Sequence, residues 1–417
     1  MKRIDSTVWL LGWTLIAGSL VASEQPSHLP VQLTLSEAIE RTLQLSPENQ
    51  LSTSRISAQK GNCVQASAYP NPAFAYSAEN VFGNREWRGW RAAESRYDLS
   101  QRIELGGKRA SRIALARVGI LQAKAAHALK QRELRLAATL AYCDLFEAQA
   151  LIEFTSRQNA LLDQWKTIAN SPEAIDKLGP LQALQIRLKA NQSAREHFAL
   201  ERDFAIKKQA LALLWGENCP ELAFDRVAPL SDTPAPPSSL CALREQLDAH
   251  PDLALAKLAH LGAHRNLQLA QADAIPDVDL LIGYKTEREG SHRGMVLGAE
   301  IPLPLFDSNQ GAIYRARAEK RESQIALCEL NRQLDQRLEI AYTDYLHSFQ
   351  LFHTLRADGL PAAQTAFDRA RESYRSGKIS QFELIQEELV YLDSQKAYLQ
   401  ALVDCYRKRA WLDTFTP

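Results

Sequence analysis

The clearest pattern along the chain is a two-residue alternation of apolar and polar side chains in four short segments. In one of them, Tyr97, Leu99 and Ile103 alternate with polar or charged neighbours. A period of two residues is typical of a β-strand that has one apolar and one polar face. The four predicted strands form two pairs, near residues 72–82 and 95–105 and near residues 277–287 and 294–303.

The segments that follow each strand pair have a helical pattern instead. From Lys108 to about Ala169 the chain has no proline and a single interior glycine, Gly119. A helix of roughly 90 Å is therefore predicted there. Near the C-terminus, apolar residues recur at spacings of three and four, which predicts a coiled-coil seam interrupted at Lys396. A long amphipathic helix on a globular core is the alternative. The seam residues are Ile385, Leu389, Leu392, Leu399, Val403, Tyr406 and Ala410.

The two halves of the chain share this order of elements, which indicates an internal repeat of about 200 residues. Leu45-Ser46-Pro47-Glu48, for example, is echoed by Ala249-His250-Pro251-Asp252. Each half is predicted to begin with a helix, near 35–67 and 241–272, before its strands and two long helices. The predicted organisation is a first repeat over 24–224, a Pro-rich linker over 225–240 and a second repeat over 241–417.

The N-terminus carries a different apolar pattern. A basic start, Met1-Lys2-Arg3, precedes an apolar stretch over 8–21, and Val21-Ala22-Ser23 supplies the small residues of a cleavage site. These features predict that residues 1–23 are a secretory signal peptide and that the mature chain is exported. An uncleaved anchor is the alternative, although the apolar stretch is short for a membrane span.

Composition narrows the class of protein further. The 417 residues include 49 basic and 49 acidic side chains, so the formal net charge is zero, which argues against a nucleic-acid-binding protein. With 46% apolar and 24% charged residues, the chain is that of an ordinary folded protein. The mean hydropathy of -0.29 argues against a bundle of transmembrane helices.

Neither the cysteines nor the histidines form a recognisable site. Cys219 and Cys241 flank the linker and could form a disulfide in an oxidising compartment, and unpaired thiols are the alternative. His260 and His264 have a spacing that can bind metal on a helix, but no third ligand is near them in the sequence. We therefore predict no metal site and no cofactor. Without a nucleophile–base pair, an enzyme is the least favoured class.

Four amphipathic strands are too few to form a membrane barrel alone. The smallest outer-membrane barrels have about eight strands, and lipid does not tolerate an open sheet edge. Either the strands cover a soluble core, or several chains share one barrel, and three copies would give twelve strands. Trp87 and Trp90, between the first two strands, suit a membrane–water interface or a loop of a soluble protein.

Three motifs carry a resemblance to a known family. They are LSQRIELGGKR over 99–109, IPLPLFDSNQG over 301–311 and Y-x-x-G-x-x-S-x-x-E-L over 374–384. With these motifs, and over nearly the whole mature chain, the sequence resembles the TolC-like outer-membrane efflux factors. It looks most similar to their heavy-metal, cobalt–zinc–cadmium branch.

The first two motifs also have a local physical explanation. Gly106, Gly107, Pro302 and Pro304 lie where a strand must give way to a helix. Glycine permits unusual backbone angles, and proline stops sheet pairing and favours a helix start. We therefore expect these four residues to form the strand-to-helix junctions.

The resemblance implies a mainly α fold with a small β part, in which a homotrimer completes a 12-stranded outer-membrane barrel and a periplasmic helical tunnel. It also implies the partners: a periplasmic adaptor (membrane fusion protein), an inner-membrane pump of the resistance–nodulation–division (RND) type, and the lipid of a Gram-negative outer membrane. The expected function is a passive exit duct for divalent heavy-metal cations. A duct for drugs or type I secreted polypeptides is one alternative, and a soluble periplasmic coiled-coil scaffold is another.

The resemblance further implies a gate where the periplasmic helix ends narrow. Glu383 occupies the motif position of an acid in this constriction, and Gln386 stands where a second acid can occur. Three copies of Glu383 around an axis would attract cations, and a solvated helix-face acid is the alternative. The residues expected to contact the adaptor lie at two helical hairpin tips and are Lys177, Leu178, Gly179, Pro180, Gly377, Lys378, Ile379 and Ser380.

Overall fold

The computed structural model describes residues 32–87, 89–169, 180–216, 224 and 226–416. The signal peptide predicted over 1–23, the first hairpin tip at Lys177, Leu178 and Gly179, and Cys219 lie outside the described residues. The described part is mainly helical with a small β part, which confirms the predicted fold class.

The first half alternates short elements with two long helices. A two-residue strand is followed by two helices, a β-hairpin and two long helices. In chain order they are β1 (Gln32–Leu33), α1 (Leu35–Leu45), α2 (Pro47–Ser67), β2 (Ala73–Glu79), β3 (Glu94–Ile103), α3 (Lys108–Ala169) and α4 (Pro180–Leu214).

The single helix predicted near 35–67 is wrong, because the chain breaks at Ser46. This residue adopts φ -54° and ψ 125°, outside the helical region. Proline restricts the preceding residue to extended conformations but is well suited to the first turn of a helix, and Pro47 begins α2. Thr34 and Glu37 start α1 with a reciprocal capping box.

The second half repeats the order with interruptions in its helices. A five-residue π-helical segment, Leu355–Gly359, joins two of these helices. The helix predicted near 241–272 is also divided, since Pro251 begins a new helix as Pro47 does. The elements are β4 (Arg226–Val227), α5 (Leu240–Gln246), α6 (Pro251–Asp273), β5 (Val278–Glu287), β6 (Arg293–Glu300), α7 (Gln310–Thr354), α8 (Leu360–Arg375) and α9 (Gln381–Asp413).

The four longer strands form one antiparallel sheet in the order β2-β3-β5-β6. The central pairing joins the two halves, with Leu99 opposite Ile282 and Ile103 opposite Val278. β2 pairs only with β3, and β6 pairs only with β5 in the described chain. Both outer strands therefore present a free edge.

The buried side chains form three clusters along the helices. Tyr142 anchors the first cluster beside the short parallel pair of β1 and β4, where its hydroxyl donates to Ala228 O (2.7 Å) and also lies 3.0 Å from Leu33 O. Tyr345 anchors the second cluster in the other half and donates to Ala235 O in the linker. The third cluster joins α3, α4 and α9 far from the sheet and contains Leu162, Trp165, Ile186, Ala190, Ile385 and Leu389.

The long helices carry exposed as well as buried positions, so they are not buried on all sides. Within the described ranges, no helix is both long enough and apolar enough to cross a membrane.

Candidate functional site

One face of the sheet is apolar and exposed. Because directly paired residues project to the same side of an antiparallel sheet, the register places one apolar set on this outward face. Phe74 is 70% exposed and Leu297 is 79% exposed, although both are large hydrophobic residues. The set consists of Phe74, Tyr76, Tyr97, Leu99, Leu280, Ile282, Tyr284, Met295 and Leu297. A surface of this kind on a sheet indicates contact with an apolar partner.

The opposite, inward face carries charged side chains. Arg102 donates to Asp279 with two bonds, Nε to Oδ1 (3.0 Å) and Nη2 to Oδ2 (3.1 Å). Further ion pairs join Arg96 to Asp98 and Lys285 to Glu94. Carboxylates outnumber basic groups on this face: the acids are Glu79, Glu94, Asp98, Asp279, Glu287 and Glu300, and the bases are Arg96, Arg102 and Lys285.

The first strand-to-helix junction lies at Gly106 and Gly107. Their φ angles of +68° and +73° fall in the left-handed region, which glycine adopts without strain. At Gly106 a Cβ atom would lie 2.8 Å from Ile275 Cδ1 and 3.0 Å from Ala272 O. Close approach of the second half therefore adds to the backbone requirement, and α3 begins directly afterwards at Lys108.

Lys108 and Asp277 tie the two halves together at this junction. Lys108 Nζ lies 2.6 Å from Asp277 Oδ1, and the Leu105 backbone N–H donates to the same oxygen (3.2 Å). Partial burial opposes ionisation of Asp277, but these hydrogen bonds outweigh it and lower the pKa of its carboxyl group. Beside them, Arg112 forms a bidentate pair with Glu104. The sequence analysis did not identify this cluster, although three of its members lie in or next to the first motif.

The second junction differs from the prediction. Pro302 and Pro304 do not start a helix, because β6 ends at Glu300 and α7 begins only at Gln310. The intervening segment is irregular, and proline at two positions prevents both sheet pairing and helical turns. Asn309, with φ +60°, makes the final turn into α7 and donates from its side chain to Ala270 O (2.8 Å).

At the far end of the helices, the Glu383 side chain is already bonded within its own helix. Glu383 Oε2 accepts from the backbone N–H of Ser380 (2.7 Å) and from its hydroxyl (2.9 Å). In return Ser380 Oγ accepts from the Glu383 N–H (3.3 Å), so the two residues form a capping box at the start of α9. The backbone hydrogen bond, followed by that from the hydroxyl, lowers the pKa of the exposed Glu383 carboxyl group.

Gln386 faces α4 rather than standing free beside Glu383. Its Oε1 accepts from Lys189 Nζ of α4 (3.3 Å). Lys396 of α9, which interrupts the apolar seam, also pairs with a residue of α4, Glu196 (2.5 Å). Both contacts link the hairpin that ends in α9 to the one that contains α4. Sequence reasoning did not anticipate these links, because each one joins residues nearly 200 positions apart.

The second hairpin tip is a tight turn between α8 and α9. Gly377 has φ +70°, and Lys378 N–H donates to Ser373 O (2.9 Å), which closes the end of α8. Ile379 and Ser380 complete the turn. Of the first tip, only Pro180 lies within the described residues, where it begins α4.

The remaining candidate residues have local roles. Cys241 lies exposed in α5, and its predicted disulfide with Cys219 stays a prediction. His260 Nδ1 lies 3.0 Å from Ser323 Oγ, and His264 lies 3.4 Å from Gln268 Nε2. No group of three potential metal ligands occurs in the described ranges.

Glu388 lies in α9 near Glu383 but is not an exposed surface charge. Its carboxyl group is half-buried, and burial raises its pKa.

Comparison with known proteins agrees with these features. The family model for outer membrane efflux proteins matches residues 242–416. The chain is 24% identical to the cobalt-zinc-cadmium resistance protein CzcC of Cupriavidus metallidurans, over 94% of this chain and 90% of that protein. It is 25% identical to the nickel-cobalt-cadmium resistance protein NccC of Alcaligenes xylosoxydans, over 72% of this chain and 65% of that protein.

The fold is also that of a solved channel. The CmeC outer membrane channel of Campylobacter jejuni superposes with a TM-score of 0.76 at 14% identity, over 91% of this chain and 85% of that chain. Residues 242–416 therefore match the outer membrane efflux protein family, nearly the whole chain is similar to a heavy-metal resistance protein, and the fold is shared with a solved outer membrane channel.

Proposed function

We propose that three copies of this chain form a passive duct through which divalent heavy-metal cations leave the cell. The duct would be the outer-membrane component of a tripartite efflux system with a periplasmic adaptor and an inner-membrane RND pump. The observation that carries the proposal is the two-faced sheet, which exposes apolar side chains outward and charged side chains inward.

The outward face supports contact with lipid. Leaving side chains such as Leu297 and Phe74 in water forgoes about 1.5–3 kcal/mol each relative to full burial. The face lies on strands of seven to ten residues, close to the ~9–11 residues that a tilted membrane strand needs. The match to the outer membrane efflux protein family and the similarity to CzcC support a location in the outer membrane of a Gram-negative bacterium.

The free edges of β2 and β6 support a barrel shared among copies. In lipid, each unpaired backbone N–H and C=O group costs several kcal/mol, so the edges must be paired. Pairing β6 of one copy with β2 of the next closes a barrel only when enough strands are present. Three copies reach twelve strands, an even number within the range of outer-membrane barrels.

The inward face supports passage of cations. In a closed barrel this face lines the lumen, where the excess of carboxylates would favour cations over anions. The similarity to CzcC and NccC, whose names specify cobalt, zinc, cadmium and nickel resistance, supports heavy-metal ions as the cargo. We assign no catalytic step to the chain, because the family that residues 242–416 match is one of channel components.

The helix ends far from the sheet are the proposed periplasmic gate and adaptor contact. Glu383 is exposed there, and three copies around an axis would place three carboxylates at the constriction. Gln386 adds no charge and is bonded to Lys189, so Glu383 would dominate the electrostatics of the gate. The exposed turn at Gly377 and Lys378 is the proposed adaptor contact.

Two measurements test this function. A deletion strain should become sensitive to cobalt, zinc or cadmium ions, and the wild-type gene on a plasmid should restore growth. Purified trimer in a planar bilayer should conduct with cation selectivity. Sensitivity to drugs alone, or loss of a secreted polypeptide, would favour the corresponding alternative duct instead. Recovery of the chain in the soluble periplasmic fraction would contradict a barrel and favour a scaffold.

A further inference from the structure

The end of the sheet remote from the helices carries arginine and tryptophan side chains. Arg293 begins β6 and pairs with Thr286, which places it on the outward face above the apolar set. Arg288 directly follows β5, and its guanidinium carbon lies 5.8 Å from the centre of the Trp90 ring. The Arg288 backbone N–H donates to Ala93 O (3.2 Å), so the two hairpin loops are tied together.

These groups form a cationic rim, defined here by Arg85, Arg91, Arg288 and Arg293 together with Trp87 and Trp90. All six side chains are exposed, and among the described residues no ion pair involves any of the four arginines. Glu289 is an exposed acid of the same loops, whereas Glu79, Glu94 and Glu287 project from the inward face.

The rim lies only at this end of the outward face. Near the helices, the outward positions are uncharged and include Ile103, Val278 and Ile301. From Arg293 to Ile301 the chain rises roughly 26 Å before tilt, close to the ~25 Å apolar band of an outer-membrane barrel. Arg293 therefore lies where the apolar band meets the lipid headgroups.

We infer that the cationic rim binds the phosphate groups of the phosphorylated glycolipid in the outer leaflet. The guanidinium group presents a planar fork that matches phosphate oxygens with two hydrogen bonds. Tryptophan favours the headgroup level, with an apolar ring and a polar N–H. The uncharged outward positions at the other end, Ile103, Val278 and Ile301, fit a leaflet of different chemistry on the periplasmic side. The inference rests on the proposed function, because it takes the outward face to be the lipid-facing one.

The test uses native mass spectrometry on the full-length trimer in detergent. The probes are lipid A with two phosphates, the same glycolipid without phosphates, and phosphatidylglycerol. We expect the wild type to bind phosphorylated lipid A in preference to the other two. The double variant Arg288→Gln/Arg293→Gln should lower the affinity for phosphorylated lipid A by about tenfold. The matched control, Arg317→Gln/Arg321→Gln, removes two exposed arginines from α7 and should leave the affinity unchanged.

The inference would be overturned by unchanged lipid A binding in the rim variant, by an equal loss in the α7 control, or by equal binding of phosphatidylglycerol by the wild type. Competition by millimolar inorganic phosphate would indicate general anion binding and would overturn it too. Trimer mass and circular dichroism report whether each variant is folded. If the rim variant conducts normally and sits in the outer membrane, failure of the inference leaves the proposed duct intact.

Discussion

Glu383 illustrates how one side chain at the gate can serve both local structure and channel electrostatics. Its carboxylate completes the capping box with Ser380, and the lowered pKa keeps it charged to more acidic pH than an ordinary glutamate. An alanine substitution therefore removes a helix cap and a charge at once. The two roles separate only when the charge is removed and the hydrogen-bond acceptor is kept.

Glu383→Gln provides that separation. Glutamine can still accept from the Ser380 N–H, so we expect α9 to keep its start while block of the channel by divalent cations weakens. Glu383→Ala should weaken the block equally, raise single-channel conductance and lower the unfolding temperature, because it also removes the capping box. Planar-bilayer recordings and thermal unfolding measure the two effects. A glutamine variant with wild-type cation block would assign Glu383 to the cap alone.

His250 is a second residue with an unusual local role, as the N-cap of α6. Its Nδ1 accepts from the Asp252 N–H (3.2 Å), and its Nε2 contacts Thr414 O (3.1 Å) in the C-terminal segment. Burial lowers the pKa of this imidazole, Asp252 opposes the shift, and Arg132 adds to it. The neutral ring is therefore the form that the folded chain requires.

This requirement predicts a pH-dependent stability. An unfolded histidine takes up a proton near pH ~6.5, whereas folded His250 does so only at lower pH. Its contribution is complete above pH ~6.5 and is lost as the pH falls through the lowered folded pKa. His250→Ser, which places before Pro251 the residue type that Ser46 places before Pro47, should flatten the acid side of the unfolding profile. The control variant His292→Asn, which replaces an exposed histidine, should keep the wild-type profile. Equal profiles in the wild type and both variants would contradict the proposed role of His250.

At the scale of elements, the sequence predicts the strands better than the places where helices begin. β3 covers Glu94–Ile103 and β5 covers Val278–Glu287, within a few residues of the alternating segments, because a two-residue period is a local property. The breaks before Pro47 and Pro251 follow from proline chemistry and were predictable in principle. The π-helical segment Leu355–Gly359 precedes Pro361, whose missing N–H is a usual cause of such irregularity.

Contacts between the halves lie beyond the reach of local patterns. Lys108 and Asp277 are separated by 169 positions, and nothing near either residue indicates the other. The motif around Gly106 predicts a junction but not what the junction touches. Likewise, the family resemblance indicates Glu383, whereas the bond between Gln386 and Lys189 depends on how two hairpins pack. In each case, predicting the contact requires knowing which distant segments pack together, and the local sequence does not contain this information.

The two glycines of the first junction allow the stability cost of backbone strain to be compared with that of a steric clash. Both have positive φ, but a Cβ at Gly106 would strike Ile275 and Ala272 O, whereas a Cβ at Gly107 would meet nothing within 4 Å. We expect Gly107→Ala to cost about 1 kcal/mol, from backbone strain alone. Gly106→Ala should cost more, about 2–4 kcal/mol, because overpacking adds to the strain. Thermal unfolding of the trimer measures both losses of stability. Equal losses would show that Ile275 and Ala272 move aside for the Cβ atom without a cost in stability.

At the scale of the whole molecule, the average composition conceals the membrane-facing part. Charged and apolar residues occur in ordinary proportions because most of the described chain is helix with both buried and exposed positions. The apolar surface is confined to alternate positions on four strands, and a single chain supplies only part of the proposed barrel. Neither hydropathy nor net charge reports such a surface, since alternation cancels in any window average. Only the register of the sheet assembles these positions into one continuous face.

Adjacent residues of β5 test which face meets lipid. Ile282 lies near the middle of the outward face, between Leu99 and Leu297, and Leu281 projects from the inward face. An arginine on the lipid face near the bilayer midplane costs about 2–4 kcal/mol, whereas one in a water-filled lumen costs far less. We therefore expect Ile282→Arg to reduce trimer recovered from the outer-membrane fraction severely, while Leu281→Arg assembles and alters ion selectivity. Semi-native electrophoresis of membrane fractions measures assembly.

If Leu281→Arg abolished assembly and Ile282→Arg did not, the assignment of the two faces would be reversed. If both variants assembled normally, the outward face would not meet lipid, because a buried charge there could not be tolerated three times in one trimer.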